Sequence, residues 1–202
     1  AVGFPGDATG IVCNLTTPDP VLRSIFHKTD FRIGVSYAID REEMIEILLN
    51  GMGEPTQAAS GPVFPFYDED WKTKYTEYSP EKAADHFKKA GLSWDSKSET
   101  WLRPDGNPLE VVFEVQDNQA RAAELIVHYL NEVGIKAVSK VDDRGLYDVR
   151  KNNYQFEMTM GAWPGNPFTA PQYIIPLDRY SALFGEYGVW VETDGEQGIE
   201  PT

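Results

Sequence analysis

The segment Met160-Gly161-Ala162-Trp163-Pro164-Gly165-Asn166-Pro167-Phe168 holds the ingredients of a binding loop. Glycine and alanine let a ligand approach the backbone, and Trp163 offers a flat face for stacking. The Asn166 amide both donates and accepts hydrogen bonds, which suits sugar hydroxyls or peptide groups. The other reading is a Pro/Gly turn around a core tryptophan. Trp163, Gly165 and Asn166 are the first candidate ligand contacts. The pairs Asp117-Asn118 and Asp142-Asp143 each follow a strand-like run. Ligands of open α/β sheets sit beyond the carboxyl ends of strands. Asn118 and Asp143 therefore complete the candidate set, with helix caps and turn residues as their alternative role.

Other chemistries find little support. Neither glycine-rich phosphate-loop pattern occurs, nor does a nucleophile elbow. His27, His86 and His128 are far apart and lack helical metal-ligand spacing, so no metal site and no cofactor is expected. Cys13, flanked by Ile11, Val12 and Leu15, has the setting of a buried, inert thiol. As the single cysteine it excludes an intramolecular disulfide. Glu42 and Glu43 suit the first turn of a helix. Asp68, Glu69 and Asp70 read as solvated loop charges. Because carboxylates are plentiful, a carbohydrate hydrolase using a carboxylate pair is the alternative to a non-catalytic binding role.

The elements that must position these residues follow from periodicity. Leu109–Val115 and Ile135–Val141 read as strands, joined by a helix capped at Asp117 or Asn118 and ended by Gly134. Strand, helix and strand with short joins form a βαβ unit, so the two strands are expected to be parallel with a right-handed crossover. A short helix is expected near Arg144–Asn152, then a third strand over Tyr154–Met160. Ahead of this unit, one helix follows Asp30 and a second begins at Asp40-Arg41-Glu42-Glu43, with Gly51 as its left-handed terminator. Ser79-Pro80-Glu81 opens a further helix that ends at Gly91. The first 30 residues read as extended segments and turns with one strand near Gly10–Leu15. Residues 52–78 read as a long aromatic loop, in which Phe64–Trp71 is a possible cleft wall. The fold class expected is α/β, a mixed sheet with a βαβ unit flanked by helices.

With 202 residues the chain suffices for one domain, 1–202, with a sizeable core. Its formal net charge of −14 argues against nucleic acid, whose affinity rests on Lys and Arg neutralising phosphates. No apolar run approaches the roughly 20 residues that span a bilayer, and Ala1–Gly6 has neither the basic start nor the apolar stretch of a signal peptide.

Phe31–Glu43 resembles the "FRxAxSxAIDRE" signature of family 5 extracellular solute-binding proteins, and continues as they do to Gly51 and Gly53-Glu54-Pro55. Tyr78–Ala84 with Lys89–Leu92, Asp105–Leu109 with Leu130–Ile135, and Tyr154–Trp163 resemble later family motifs in the expected order. The resemblance spans about residues 10–175. It implies one lobe of a periplasmic-binding-protein-like type II fold, acting without catalysis for an ABC importer. It further implies a monomer at the periplasm or cell surface that captures an oligosaccharide or oligopeptide between two lobes and passes it to permease subunits. Family members are longer, so the chain is expected to be the second lobe, with 1–30 and 176–202 as boundary or extension segments. Peptide-binding members often carry an acidic residue where this chain has Asn166. Trp190–Gly198 resembles an insertion of oligosaccharide-type members, which places oligosaccharide slightly ahead of peptide.

Overall fold

A computed structural model describes residues 2–4, 7–62, 64–65, 67–163, 171, 175–181 and 183–201. In chain order its elements are β1 (Val2–Phe4), β2 (Asp7–Cys13), α1 (Pro20–His27), α2 (Thr29–Ala38), α3 (Arg41–Leu49), β3 (Glu54–Pro55), α4 (Glu69–Thr73) and α5 (Pro80–Lys89). There follow β4 (Ser93–Asp95), β5 (Thr100–Leu102), β6 (Glu110–Gln116), a 3-10 turn (Asp117–Gln119), α6 (Ala120–Glu132), β7 (Lys136–Asp142), α7 (Arg144–Asn152), β8 (Met158–Trp163) and α8 (Gly185–Glu192). One mixed sheet runs in the order β3-β1-β2-β8-β6-β7, and β4 and β5 form a separate hairpin. Among the described residues no helix is long and apolar enough to cross a membrane.

The expected βαβ unit is present. β6 pairs with β7 in parallel from Glu110↔Lys136 to Gln116↔Asp142. On its other side β6 meets β8, also parallel, at Phe113↔Met158 and Glu114↔Thr159. β2 runs antiparallel to β8 from Ala8↔Trp163 to Cys13↔Met158. Side chains alternate across a strand, so Val111, Phe113 and Val115 are buried on the face that α6 covers with Ile126 and Leu130. Glu114 faces the other layer, where Arg150 of α7 donates to both of its carboxylate oxygens at 2.7 Å. Beside the sheet, stacked and tilted rings link α1, α2, α5 and β5: Phe26 to Phe31 at 5.6 Å, Phe31 to Phe87 at 5.9 Å and Phe87 to Trp101 at 5.5 Å. Gly34 makes the α2–α5 contact possible, since a Cβ there would lie 2.6 Å from the Phe87 ring.

Several elements differ from expectation, each for a local reason. Pro20–His27 is a helix, not an extended segment: Asp19 caps it, accepting from the Val21 and Leu22 amides, and Pro20 stands at its start. β2 ends at Cys13 because Asn14 turns the chain, its side-chain oxygen accepting from the Thr16 amide at 3.0 Å. The Asn14 amide also donates to the carbonyls of Tyr154 and Phe156, which withdraws them from the ladder and delays β8 to Met158. Residues 52–78 carry β3 and α4 within the expected loop. Neither Asp117 nor Asn118 caps α6. A capping box between Gln116 and Gln119 opens the intervening 3-10 turn instead.

Glu157 precedes β8 and is half-buried. Its carboxylate accepts from the Val112 amide at 2.7 Å, standing in for a ladder bond where β6 and β8 are not yet paired. Burial, opposed in part by that amide, raises its pKa above the usual carboxylate range. A raised folded-state pKa means that the folded protein holds this proton more tightly than the unfolded chain. The resulting stabilisation is present below the unfolded pKa and is lost as pH rises through the folded one. In urea unfolding between pH 4 and 7, Glu157→Gln is expected to gain stability relative to the parent protein as pH rises. Parallel pH profiles would contradict this assignment.

Candidate functional site

The carboxyl ends of three strands converge on one edge of the sheet. β6 ends at Gln116, register partner of Asp142 at the end of β7, and β8 runs parallel to both and ends at Trp163. This edge gathers Asn118, Asp143 and the Trp163 backbone. Asn118 is exposed in the 3-10 turn, its amide donating to the Asp117 carboxylate at 2.8 Å. Asp143 is exposed too, and it caps α7 by accepting from the Gly145 and Leu146 amides at 2.9 and 3.2 Å. Gly165 and Asn166 lie outside the described residues. Trp71, within the expected aromatic wall, lies on α4 and is exposed.

Two acidic groups near this edge, Asp142 and Glu114, are held by cations. Asp142 lies 3.3 Å from Lys140 and 3.6 Å from Arg150, which also binds Glu114. Glu157, whose pKa is raised, sits at the opposite end of β8. His27 contacts the Leu15 carbonyl and the Tyr187 hydroxyl, His86 pairs with Asp30, and His128 lies near Glu132, so the three imidazoles occupy separate places. Among the described residues no group of three His, Cys, Asp or Glu is arranged for a metal ion.

Sequence reasoning missed a concavity on the face of the sheet. A cavity of about 480 Å³ lies over β2 and β8, walled by α2, α3 and the start of α6. That volume falls in the range of small-molecule sites. Its floor approaches the same sheet edge: Ile11 pairs with Met160 and Gly10 with Gly161, a few residues before Trp163. Away from the cavity lining, the Tyr129 hydroxyl of α6 donates to the Glu43 carboxylate of α3 and ties the two helices together.

One side of the cavity is polar. Arg41 is 6% exposed, and its Nη1 donates to the carbonyls of Ser36 (2.7 Å), Thr76 (3.3 Å) and Ile39 (3.4 Å). Its Nη2 donates to the Ser36 hydroxyl at 2.7 Å. Gln57 donates to the same hydroxyl at 3.0 Å and to the Lys74 carbonyl at 2.8 Å. The network fastens residues 57 and 74–76 to the end of α2, where a cation also complements the helix dipole. Burial pulls the Arg41 guanidinium down to about 10 and pushes the Cys13 thiol up to about 12. Cys13 is thus a buried, protonated wall of the cavity. Nothing in the string Asp40-Arg41-Glu42-Glu43 signals a buried arginine. Its burial depends on carbonyls brought in from α2 and from a loop 35 residues downstream.

Residues 5–182 match the family described as bacterial extracellular solute-binding proteins, family 5 middle. Over 154 residues the chain is 25% identical to heme-binding protein A of Haemophilus influenzae, covering 75% of this chain and 26% of that protein. The chain therefore spans about a quarter of the length of this relative. The oligopeptide-binding protein OppA superposes on 100% of the chain and 34% of its own, with a TM-score of 0.83 and 29% identity. A periplasmic oligopeptide-binding protein of Thermotoga maritima, solved with mannohexaose bound, shares the fold: TM-score 0.69 and 21% identity over 94% of this chain and 38% of that one.

Proposed function

Since the chain belongs to the bacterial extracellular solute-binding proteins of family 5, we propose that it is one lobe of the solute-capturing component of an ABC importer. In this reading a second lobe closes over the carboxyl edge of the sheet and traps an oligosaccharide or oligopeptide. The closed protein then delivers its solute to membrane permease subunits from the periplasm or cell surface. The family match over residues 5–182 carries the proposal. The convergence of β6, β7 and β8 on one edge supports it, because ligands of such sheets bind there. Trp163, Gly165 and Asn166 are the proposed principal contacts, with Asn118 and Asp143 on the flanks.

The test is a thermal-shift screen of this chain and of the two-lobe protein against matched panels of oligosaccharides and oligopeptides. A solute at about 100 times its Kd stabilises the folded state by about 2.7 kcal/mol, or roughly 5–10 °C for a domain of this size. The expected result is a shift of a few degrees with one panel in the two-lobe protein, whose larger unfolding entropy reduces it, and little or none in the single lobe. No shift with either panel in the two-lobe protein would overturn the proposal.

A further inference from the structure

The sheet edge that gathers Asn118, Asp143 and the Trp163 backbone does not end at β8. Register carries it across three more strands: Trp163 pairs with Ala8 of β2, Ala8 with Gly3 of β1, and Gly3 with Glu54 of β3. Neighbouring strands lie about 4.8 Å apart, so the row from Trp163 to Glu54 is about 14 Å long. Between its ends stand Ala8 and Gly3, residues of the two smallest types.

At the far end the edge meets α4. The Lys72 ammonium reaches Glu54 at 2.7 Å, and the Lys72 carbonyl accepts from the Gln57 amide at 2.8 Å. These bonds close the neck of the loop between residues 57 and 72. The neck is fastened to α2, because Gln57 donates to the Ser36 hydroxyl at 3.0 Å and Ser36 donates to the Tyr75 carbonyl at 2.8 Å. Loops whose ends are held together in this way are frequently functional. This one carries Trp71, 58% exposed, whose ring makes no ring contact among the described residues. Asp68, three residues earlier and so a neighbour on the helix surface, accepts from the Trp71 amide at 3.1 Å through one carboxylate oxygen. Its other oxygen is open to a donor, while the adjacent cation, Lys72, is taken up by Glu54. An indole face beside an open carboxylate suits a sugar ring, which packs its C–H face on the indole and donates its hydroxyls to the carboxylate.

We propose that Trp71 and Asp68 form a distal subsite for an oligosaccharide, one sugar ring stacking on the indole and donating to Asp68 while the rest of the solute runs along the edge to Trp163. The inference rests on the solute-binding reading and deepens it. The occupant is a neutral saccharide of several units, since a disaccharide held at Trp163 is too short to reach Trp71.

Isothermal titration of the two-lobe protein compares maltohexaose, cellohexaose and mannohexaose with maltose, cellobiose and mannobiose. At least one hexaose is expected to bind, and Trp71→Ala to weaken it on the order of ten-fold, the loss typical of an aromatic anchor at a binding surface. The same variant is expected to leave the matching disaccharide unchanged. Trp71→Phe, which keeps a flat ring, is expected to retain most of the hexaose affinity. Asp68→Asn, which keeps a side-chain cap for α4, is expected to lower it several-fold. Because Trp71 is exposed, its truncation leaves the core intact, and circular dichroism verifies this. Unchanged hexaose affinity in Trp71→Ala, or equal weakening of hexaose and disaccharide, would overturn the subsite. Binding of oligopeptides with no hexaose bound would overturn it too, while leaving the importer reading in place. No binding of either class would overturn both.

Discussion

Trp101→Ala is expected to lower the unfolding free energy by about 3–5 kcal/mol, the usual cost of emptying a large aromatic site in a core. Trp101 is 2% exposed and sits where β5, α5 and the end of α6 meet. Its ring packs edge-on against Phe87 at 5.5 Å and Trp94 at 5.2 Å. Its indole N–H donates to the Val133 carbonyl at 2.8 Å, so the truncation also strands a buried acceptor. The melting temperature should fall by roughly 10 °C or more. Trp94, 45% exposed on the same hairpin, is the comparison, and Trp94→Ala should cost less, about 1–2 kcal/mol, for its lost packing on Trp101. Urea unfolding followed by circular dichroism separates the two. Equal losses would mean that the hairpin, not the Trp101 site, carries the stability.

Gly188→Ala is the second large effect. A Cβ at this position would stand 1.9 Å from the Asp178 carbonyl oxygen and 2.6 Å from its carbon. Both are backbone atoms, so no side-chain rotation relieves the clash and α8 must move away from the turn at 177–181. Overpacking of this kind costs about 1–3 kcal/mol, and the rigidity of the obstacle favours the upper end. The displacement would loosen further ties: the Glu186 amide to the Thr16 hydroxyl at 3.3 Å, and the Tyr187 hydroxyl to His27 at 3.2 Å. Hydrogen exchange should therefore accelerate in α8 and at residues 14–16 while the βαβ unit keeps its protection. Unchanged protection in α8 would refute the steric account. Val191→Ala, on the exposed side of the same helix, is the neutral comparison.

What the sequence revealed depended on whether the deciding forces were local. The βαβ unit was legible because Val111, Phe113 and Val115 alternate inward and Ile126 and Leu130 share a helical face, patterns contained in short windows. α7 was expected over Arg144–Asn152 and is found there, opened by the Asp143 cap. α1 escaped notice although Asp19-Pro20 carries the same start signal as Ser79-Pro80, because the surrounding Thr, Pro and Asp residues read as turns. α8 holds two glycines in eight residues and has poor intrinsic helix propensity. Its helix rests on close contacts at Gly185 and Gly188 that only the assembled fold reveals. At the candidate site, the edge positions of Asn118 and Asp143 were legible from strand order. The cavity was not, since it arises between α2, α3, α6 and two strands whose contact spans most of the chain.

That span bears on biosynthesis. β2 sits between β1 and β8, and its partner on the β8 side begins at Met158. At ribosomal speeds of about 5–20 residues per second, the stretch of roughly 150 residues from Cys13 to Trp163 takes about 8–30 s to emerge. The β6–α6–β7 unit needs no residue beyond Asp142 for its own pairing, so it can form while the ribosome still adds β8. Throughout that interval the nascent chain displays β2 with one edge unpaired, together with Ile11, Val12 and Leu15. β2 thus remains a target for holding chaperones until β8 has been made and slots between β2 and β6.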